Sequence, residues 1–444
     1  MPSISAKGLA LPDSPIRKLA PYANAAKAAG KRVIHLNIGQ PDIATPDTAL
    51  DAVRGLDRKV LEYSPSEGYA SYREGLAQYY ASVGVEVAPD EIMVTTGGSE
   101  ALQFVFTCGM NPGDEVIIPE PFYANYASFA MLAGARVVPV TARIEDGFAL
   151  PPIEAFAAAI SERTRAILIC NPGNPTGTVY SEAELAVLAD LARQHDLYLI
   201  VDEVYREFTY DGTMPRSILS FPGLEAHAVV IDSVSKRYSM CGARVGALVT
   251  RNAELRRAAM KMAMARLSPP TLGQIASEAA LHTPASYFDA VRSEYRRRRD
   301  ALVDGLSSID GVLCPRPGGA FYAVARLPID NADSFCRWML ESFDHHGATV
   351  MMAPNSGFYS TPGAGLQEVR LAYVLEIPRI EEAVECVREA LRLRLRTGAA
   401  APHRTRTRLR ARTRLRARTR LRLVVYGVKM RKRCSSDSVN RTTI

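Results

Sequence analysis

Short apolar runs, separated by longer amphipathic stretches, constrain this chain more than any other feature. The runs are EVIIPE (Glu115 to Glu120), RVVPVT (Arg136 to Thr141), RAILIC (Arg165 to Cys170), LYLIVDE (Leu197 to Glu203), AVVIDS (Ala228 to Ser233) and GALVT (Gly246 to Thr250). Each is rich in Val and Ile and bounded by turn residues, so each reads as a buried strand. Helical patterns lie between several of them. In SEAELAVLADLARQH, Ser181 caps and Glu184 completes a capping box. Strand and helix in alternation imply an α/β fold with a largely parallel sheet.

After Asn252 the character changes. Long helical stretches, including SEYRRRRDALVDGL, give way to strand-like FYAVARL, TVMMAP and EVRLAYV and a last helix near Arg379 to Arg394. This predicts a second, smaller α+β domain completed by the N-terminal residues. A chain of 444 residues, 47% of them apolar, is also too long for one domain of ordinary size. The expected division is 1–48 as an N-terminal arm and part of the small domain, 49–289 as the large domain and 290–396 as the small C-terminal domain. An Arg-rich tail, 397–444, follows and is expected to be disordered.

The tail accounts for the basic balance. It holds 15 Lys and Arg against one acid, Asp437, so the body carries a net charge of −7 beneath a whole-chain value of +7. Basicity therefore argues for no nucleic-acid site on the body. Within the tail, R-T-R-L-R-A starts at Arg406 and Arg412, and nearly repeats at Arg418. Such charge density cannot pack alone. It reads either as an arm for phosphates and anionic surfaces or as an appended extension. The second is preferred, because nothing in the body calls for a basic arm. The seven cysteines are dispersed, with no C-x-x-C pair, which argues against a disulfide framework or structural zinc and fits a reducing cytoplasm. No apolar run is long enough to span a membrane.

The chemistry centres on SVSKRYSMCGARVG, Ser233 to Gly246. A lysine is ordinarily a solvated surface charge. Lys236, however, follows a buried strand, stands beside Ser233 and Ser235, and has Arg244 eight residues on between two glycines. An enclosed lysine has a lowered pKa and can form a Schiff base. Hydroxyls with an arginine suit a phosphate monoester.

This segment resembles the lysine signature of the class I and II (fold type I) aminotransferases, the aspartate aminotransferase superfamily, whose cofactor is pyridoxal 5′-phosphate (PLP). The resemblance spans about residues 10 to 396. It implies a large domain with a mostly parallel seven-stranded sheet covered by helices, plus a smaller α+β domain built from both chain ends. It makes Lys236 the catalytic residue that carries PLP, with Ser233, Ser235 and Arg244 at the phosphate.

The other landmarks appear in family order. In ICNPGNPTG the N-P dipeptides favour a turn, but the place at a strand's carboxyl end favours a site. Asn174 is implied to bind the cofactor's phenolic oxygen and to border the substrate. In LIVDEVYREF, Asp202 ends a strongly apolar strand, where a carboxylate needs a cation. An aspartate facing the pyridine nitrogen keeps that nitrogen protonated. Tyr205 alone would read as a core aromatic; the resemblance gives it the phenolic oxygen. In TTGGSEALQFVF, a glycine turn opens a helix whose amides suit an anion, implying Gly98, Ser99 and the amide of Glu100 as phosphate ligands. Tyr123 in EPFYANY matches the aromatic that stacks on the ring. Arg370 in EVRLAYV reads as a structural ion pair or, by resemblance, as the grip on the substrate α-carboxylate, with Gly39 of LNIGQPDIATP beside it. Tyr63 reads as a surface tyrosine or, by its Y-x4-G-x4-R spacing, as a residue reaching the phosphate of a neighbouring subunit. The second makes the enzyme a homodimer with shared sites.

The implied activity is transfer of an amino group from an L-α-amino acid to a 2-oxo acid by a ping-pong mechanism, with those acids as the partners. A lyase or synthase on the same scaffold is the alternative. A regulatory or nucleic-acid-binding role through the tail ranks below both. Ser99 stands where aspartate-using members often have a lysine, so the side chain preferred is left open among alanine, aspartate, aromatic amino acids and a broad range.

Overall fold

The computed structural model describes residues 2–212 and 215–396. The expected Arg-rich tail, 397–444, lies outside them.

Every apolar run forms a strand. In chain order the strands are β1 (Arg32–His35), β2 (Ile92–Thr95), β3 (Glu115–Glu120), β4 (Arg136–Thr141), β5 (Thr164–Cys170), β6 (Tyr198–Asp202), β7 (Ala228–Ser233), β8 (Gly246–Val249), β9 (Tyr322–Arg326), β10 (Ala348–Met351), β11 (Ala353–Pro354) and β12 (Glu368–Ala372). Seven build one sheet in the order β2-β8-β7-β6-β5-β3-β4. Only β8 runs against its neighbours. The mostly parallel seven-stranded sheet is thus present, and β2 is the one strand in it that the apolar runs do not announce.

Alternation along the strands sends residues to two cores. Ile117, Ile167, Leu199 and Val230 pack on one face with Tyr72, Leu76, Leu185 and Leu188. Val116, Ile118, Leu168, Ile200 and Ile231 pack on the other with Phe104, Val105 and Leu255. The helix Glu182–Gln194 begins with the expected capping box, Ser181 accepting from the Glu184 amide and Glu184 from the Ser181 amide.

The smaller α+β part has two sheets. The strands β11, β12 and β9 form an antiparallel one. β1 pairs with β10 in parallel, Arg32 opposite Ala348, so both chain ends contribute. The expected TVMMAP strand is split into β10 and β11. A helix, Ala285–Ser307, runs unbroken across the boundary expected at 289/290. Its arginine run is more than a solvated face. Arg298 is buried, bonding Asp42 at 2.5 Å and the Val374 carbonyl, and Arg299 reaches Asp211 at 2.5 Å. Among the described residues no helix is long and apolar enough to cross a membrane, and no cluster suits a metal ion.

Candidate active site

The carboxyl ends of the parallel strands converge on one cavity of about 600 Å³. Side chains from just beyond β2, β3, β5, β6 and β7 line it, as expected where an open α/β sheet holds a ligand. Lys236 sits on the short helix Val234–Arg237 that follows β7. Its Nζ donates to the Gly39 carbonyl at 2.8 Å and lies 3.7 Å from Cys241 Sγ. A β-carbon on Gly39 would lie 1.8 Å from the Tyr322 hydroxyl, so any side chain there would have to displace that tyrosine. Ser233 caps this helix by accepting from the Ser235 amide, and the two hydroxyls are 2.8 Å apart.

Arg244 adopts left-handed backbone angles, φ 54° and ψ 48°. This conformation costs a non-glycine residue about 1–2 kcal/mol and persists only when the surroundings hold it. Its guanidinium rests against Gly97, in the space a β-carbon would fill, and Gly97 itself has φ 75°. Gly98 and Ser99 follow at the start of the helix Gly98–Gly109 and line the cavity. Glu100 stands outside the lining. Its amide bonds the Gly97 carbonyl, and its carboxylate accepts from the Thr96 amide at 2.7 Å and pairs with Arg266 at 2.8 Å. The expected use of the Glu100 amide for an external anion therefore competes with an internal bond.

Asp202 closes β6 and is buried. The Tyr126 hydroxyl donates to Oδ2 at 2.7 Å and the Val204 amide approaches Oδ1 at 3.3 Å. Burial pushes its carboxyl up to about 6, against the pull of these donors and of Lys236. The Tyr205 hydroxyl lies 3.0 Å from that of Tyr322. Tyr123 accepts from Asn125 Nδ2 at 2.8 Å and stands edge-on to Tyr126.

Arg370, in the middle of β12, has no exposed surface. It donates to Asn174 Oδ1 at 3.1 Å and to the Asn37 carbonyl, and its guanidinium lies over the rings of Tyr322 and Phe358. Its Nε has no partner. Among the described residues no carboxylate pairs with it, so the structural ion pair weighed from sequence is not what holds it. A buried guanidinium without an anion is costly, and here it borders the cavity.

The model of the aminotransferase class I and II family matches residues 31–385. This chain belongs to that family. It is 34% identical to the aspartate aminotransferase of Bacillus subtilis (strain 168) over 373 residues, which is 82% of this chain and 92% of that one. Its fold superposes on a single mutant of the Thermus thermophilus aspartate aminotransferase with TM-score 0.80 at 31% identity, and on the alanine aminotransferase of Pyrococcus furiosus with TM-score 0.81 at 28%. Each comparison covers 88% of this chain and 100% of the other. The enzyme is a PLP-dependent transaminase.

In this aminotransferase the cavity gathers most of the residues anticipated from sequence: Lys236, Asp202, Tyr205, Asn174, Tyr123, Ser233, Ser235, Arg244, Gly98, Ser99, Gly39 and Arg370. Tyr63 is not among them. It is 76% exposed, beside exposed Val60 and Leu61. Sequence reasoning missed Tyr126, Tyr322, Asn37, Cys170, Cys241 and Arg17. Tyr126 carried a weak signal only, since it lies three residues beyond Tyr123, on the first turn of the helix Asn125–Ala133 that follows. Asn37 and Tyr322 act through partners distant in the chain and gave none.

Proposed function

We propose that Lys236 bears the cofactor and moves the proton of the reaction, on an L-α-amino acid donor and a 2-oxo acid acceptor in ping-pong order. What carries this reading is the convergence on one cavity of an amine, a buried carboxylate with no full cationic partner and a buried guanidinium with no anion. Each lacks what PLP and an amino acid would bring. The raised carboxyl of Asp202 fits a ring nitrogen that arrives as a cation. The slot over Gly97, with the Arg244 guanidinium, Ser233 and Ser235 nearby, fits a phosphate.

When bound, PLP joins its aldehyde carbon to an amine and draws electrons from the carbon bearing the amino group. The chain's own residues then divide the work. Arg370 binds the substrate α-carboxylate, exchanging its bonds to Asn174 and Asn37 for two parallel ones. Gly39 leaves room for Tyr322 beside it. Lys236 Nζ takes the proton from the substrate α-carbon as general base. Asp202, steadied by Tyr126, holds the proton on the ring nitrogen. Tyr205 and Asn174 donate to the phenolic oxygen, and Tyr123 supplies aromatic surface. Gly98, Ser99, Ser235 and Arg244 hold the phosphate.

We also infer a homodimer in which Tyr63 reaches the phosphate of the partner site. Support comes from the apolar surface around it. Val60, Leu61, Tyr63 and Leu267 are all exposed, and Ser66 ties this segment to the Leu267 carbonyl at 2.6 Å. The free cysteines among the described residues agree with a cytoplasmic setting.

The deciding experiment is a half-reaction screen. The PLP enzyme is mixed with single amino acids, and conversion to the pyridoxamine form with release of the matching 2-oxo acid is expected. Lys236→Ala should lose both turnover and the visible absorbance of the lysine-bound cofactor. Retained turnover in that variant, or release of ammonia, thiol or carbon dioxide by the native enzyme, overturns the proposal.

A further inference from the structure

Behind the lysine-bearing turn lies a buried group of four charges to which no role has been given above. Strand alternation puts it there. Val201 and Val230 belong to the core that holds Tyr80, whereas Ile200 and Ile231 belong to the other. At the carboxyl ends of these strands the same alternation turns Glu203 and Asp232 toward Tyr80, and Asp202 and Ser233 toward the cavity. Arg237, next to Lys236, bonds both oxygens of Asp232 at 2.6 and 2.8 Å. Arg206 pairs with Glu203. None of the four side chains is more than 5% exposed. Tyr79 lies under Arg237 at 4.0 Å and Tyr80 under Arg206 at 4.9 Å. Tyr80 donates to Asp232 at 3.1 Å, and so does the Ser233 amide at 2.7 Å. The group therefore grips the backbone where the lysine turn begins.

Two carboxylates and two guanidiniums cancel. Burying such a set is often no better for stability than packing apolar side chains of the same volume. Its position is informative instead, because in a low-dielectric interior a charge imbalance is felt at neighbouring titrating groups. Resting on the assignment of Lys236 as the cofactor-bearing amine, we propose that the Asp232–Arg237 pair, balanced by Glu203–Arg206, is a positioning device that fixes the Lys236 turn and sets the proton affinity of its nitrogen in the PLP-bound enzyme.

Other titratable groups share the cavity with that nitrogen, Cys170 at the end of β5 among them. Cys241 comes from the following turn, Asp202 and Tyr205 from the end of β6, Tyr322 from β9 and Arg370 from β12. Tyr123 and Tyr126 come from beyond β3, Arg244 from ahead of β8, and Arg17 from the N-terminal segment. All stay constant across the variants below, so differences report the buried pair.

The test is a pH titration of the visible absorbance of PLP-loaded enzyme. Arg237→Met leaves one extra negative charge and should raise the midpoint; Asp232→Asn leaves one extra positive charge and should lower it. Each shift should be on the order of half a pH unit or more. Arg237→Lys keeps the charge and should stay near the native midpoint. The double variant Asp232→Asn with Arg237→Met is again neutral and should return toward it. Thermal melting of the cofactor-free proteins runs alongside. Single variants that shift the midpoint in the same direction, or lower melting without moving it, overturn the proposal. So does a double variant that stays displaced. Should Arg237→Met not fold, Asp232→Asn and the double variant decide by the same signs. If the titrating band persists in Lys236→Ala, the assignment of the amine fails rather than the role of the pair.

Discussion

Asp202→Asn separates what this carboxylate costs the cofactor-free protein from what it gives the loaded one. Burial holds the Asp202 carboxyl at about 6, against an ordinary 3.8. The folded protein thus binds that proton more tightly than the unfolded chain does. Well below pH 4 both states are protonated and the group costs nothing. As pH rises toward 6 the unfolded chain ionises first, and folded stability falls. Above pH 6 the full penalty applies, about 3 kcal/mol for a two-unit difference. The amide carries no charge to desolvate, and its oxygen still accepts from Tyr126. Its NH2 group needs an acceptor and returns about 1–2 kcal/mol of that gain. Cofactor-free Asp202→Asn should therefore be more stable than the native cofactor-free protein by about 1–2 kcal/mol near pH 8, and less stable by about 1 kcal/mol near pH 4, where only the cost of its NH2 group remains. Urea unfolding of both proteins at the two pH values measures this. With PLP bound the order reverses, because the ring nitrogen loses its anion and turnover drops. Equal stability of the two cofactor-free proteins at pH 8, or a difference unchanged at pH 4, refutes the reasoning.

Three further outcomes follow from the same cavity. Arg370→Ala should raise KM for amino acids at least tenfold, as expected for a lost charged pair of about 1.5–3 kcal/mol, while the pH titration of the bound cofactor's absorbance shows PLP still held. Arg244→Ala should weaken PLP binding by about 1.5–3 kcal/mol; equilibrium dialysis giving an unchanged affinity would mean the phosphate lies elsewhere. Tyr63→Phe should lower PLP affinity by about 1 kcal/mol while sedimentation still gives the proposed dimer; a native protein that sediments as a monomer yet binds PLP sinks the shared-site reading.

The sheet was legible because its strands are apolar over most of their length, a pattern that buried parallel strands require. β2, IMVT, escaped because it runs into the glycine turn, which reads as the start of the following helix. The site was legible where one local segment supplies both geometry and chemistry. Lys236, Asp202 and Asn174 each sit at a strand end beside turn residues. At Glu100 the place in the helix start says nothing of the carboxylate's contact with Arg266 from another helix. Tyr322 was invisible for a related reason. It matters through Gly39 and Tyr205, and no spacing within the chain announces that meeting. The sequence also read the arginine run near Arg298 only as charge, since the acids that bury it come from Asp42 and Asp211.

The pairing of β1 with β10 has a consequence for biosynthesis. The segment that delivers Gly39 to Lys236 is translated early, yet its hydrogen-bonding strand emerges from the ribosome near the end. Until then the amine lacks its carbonyl partner, and the opening strand has an unpaired edge. A polypeptide stalled before β10 should consequently be captured by chaperones rather than by vitamin.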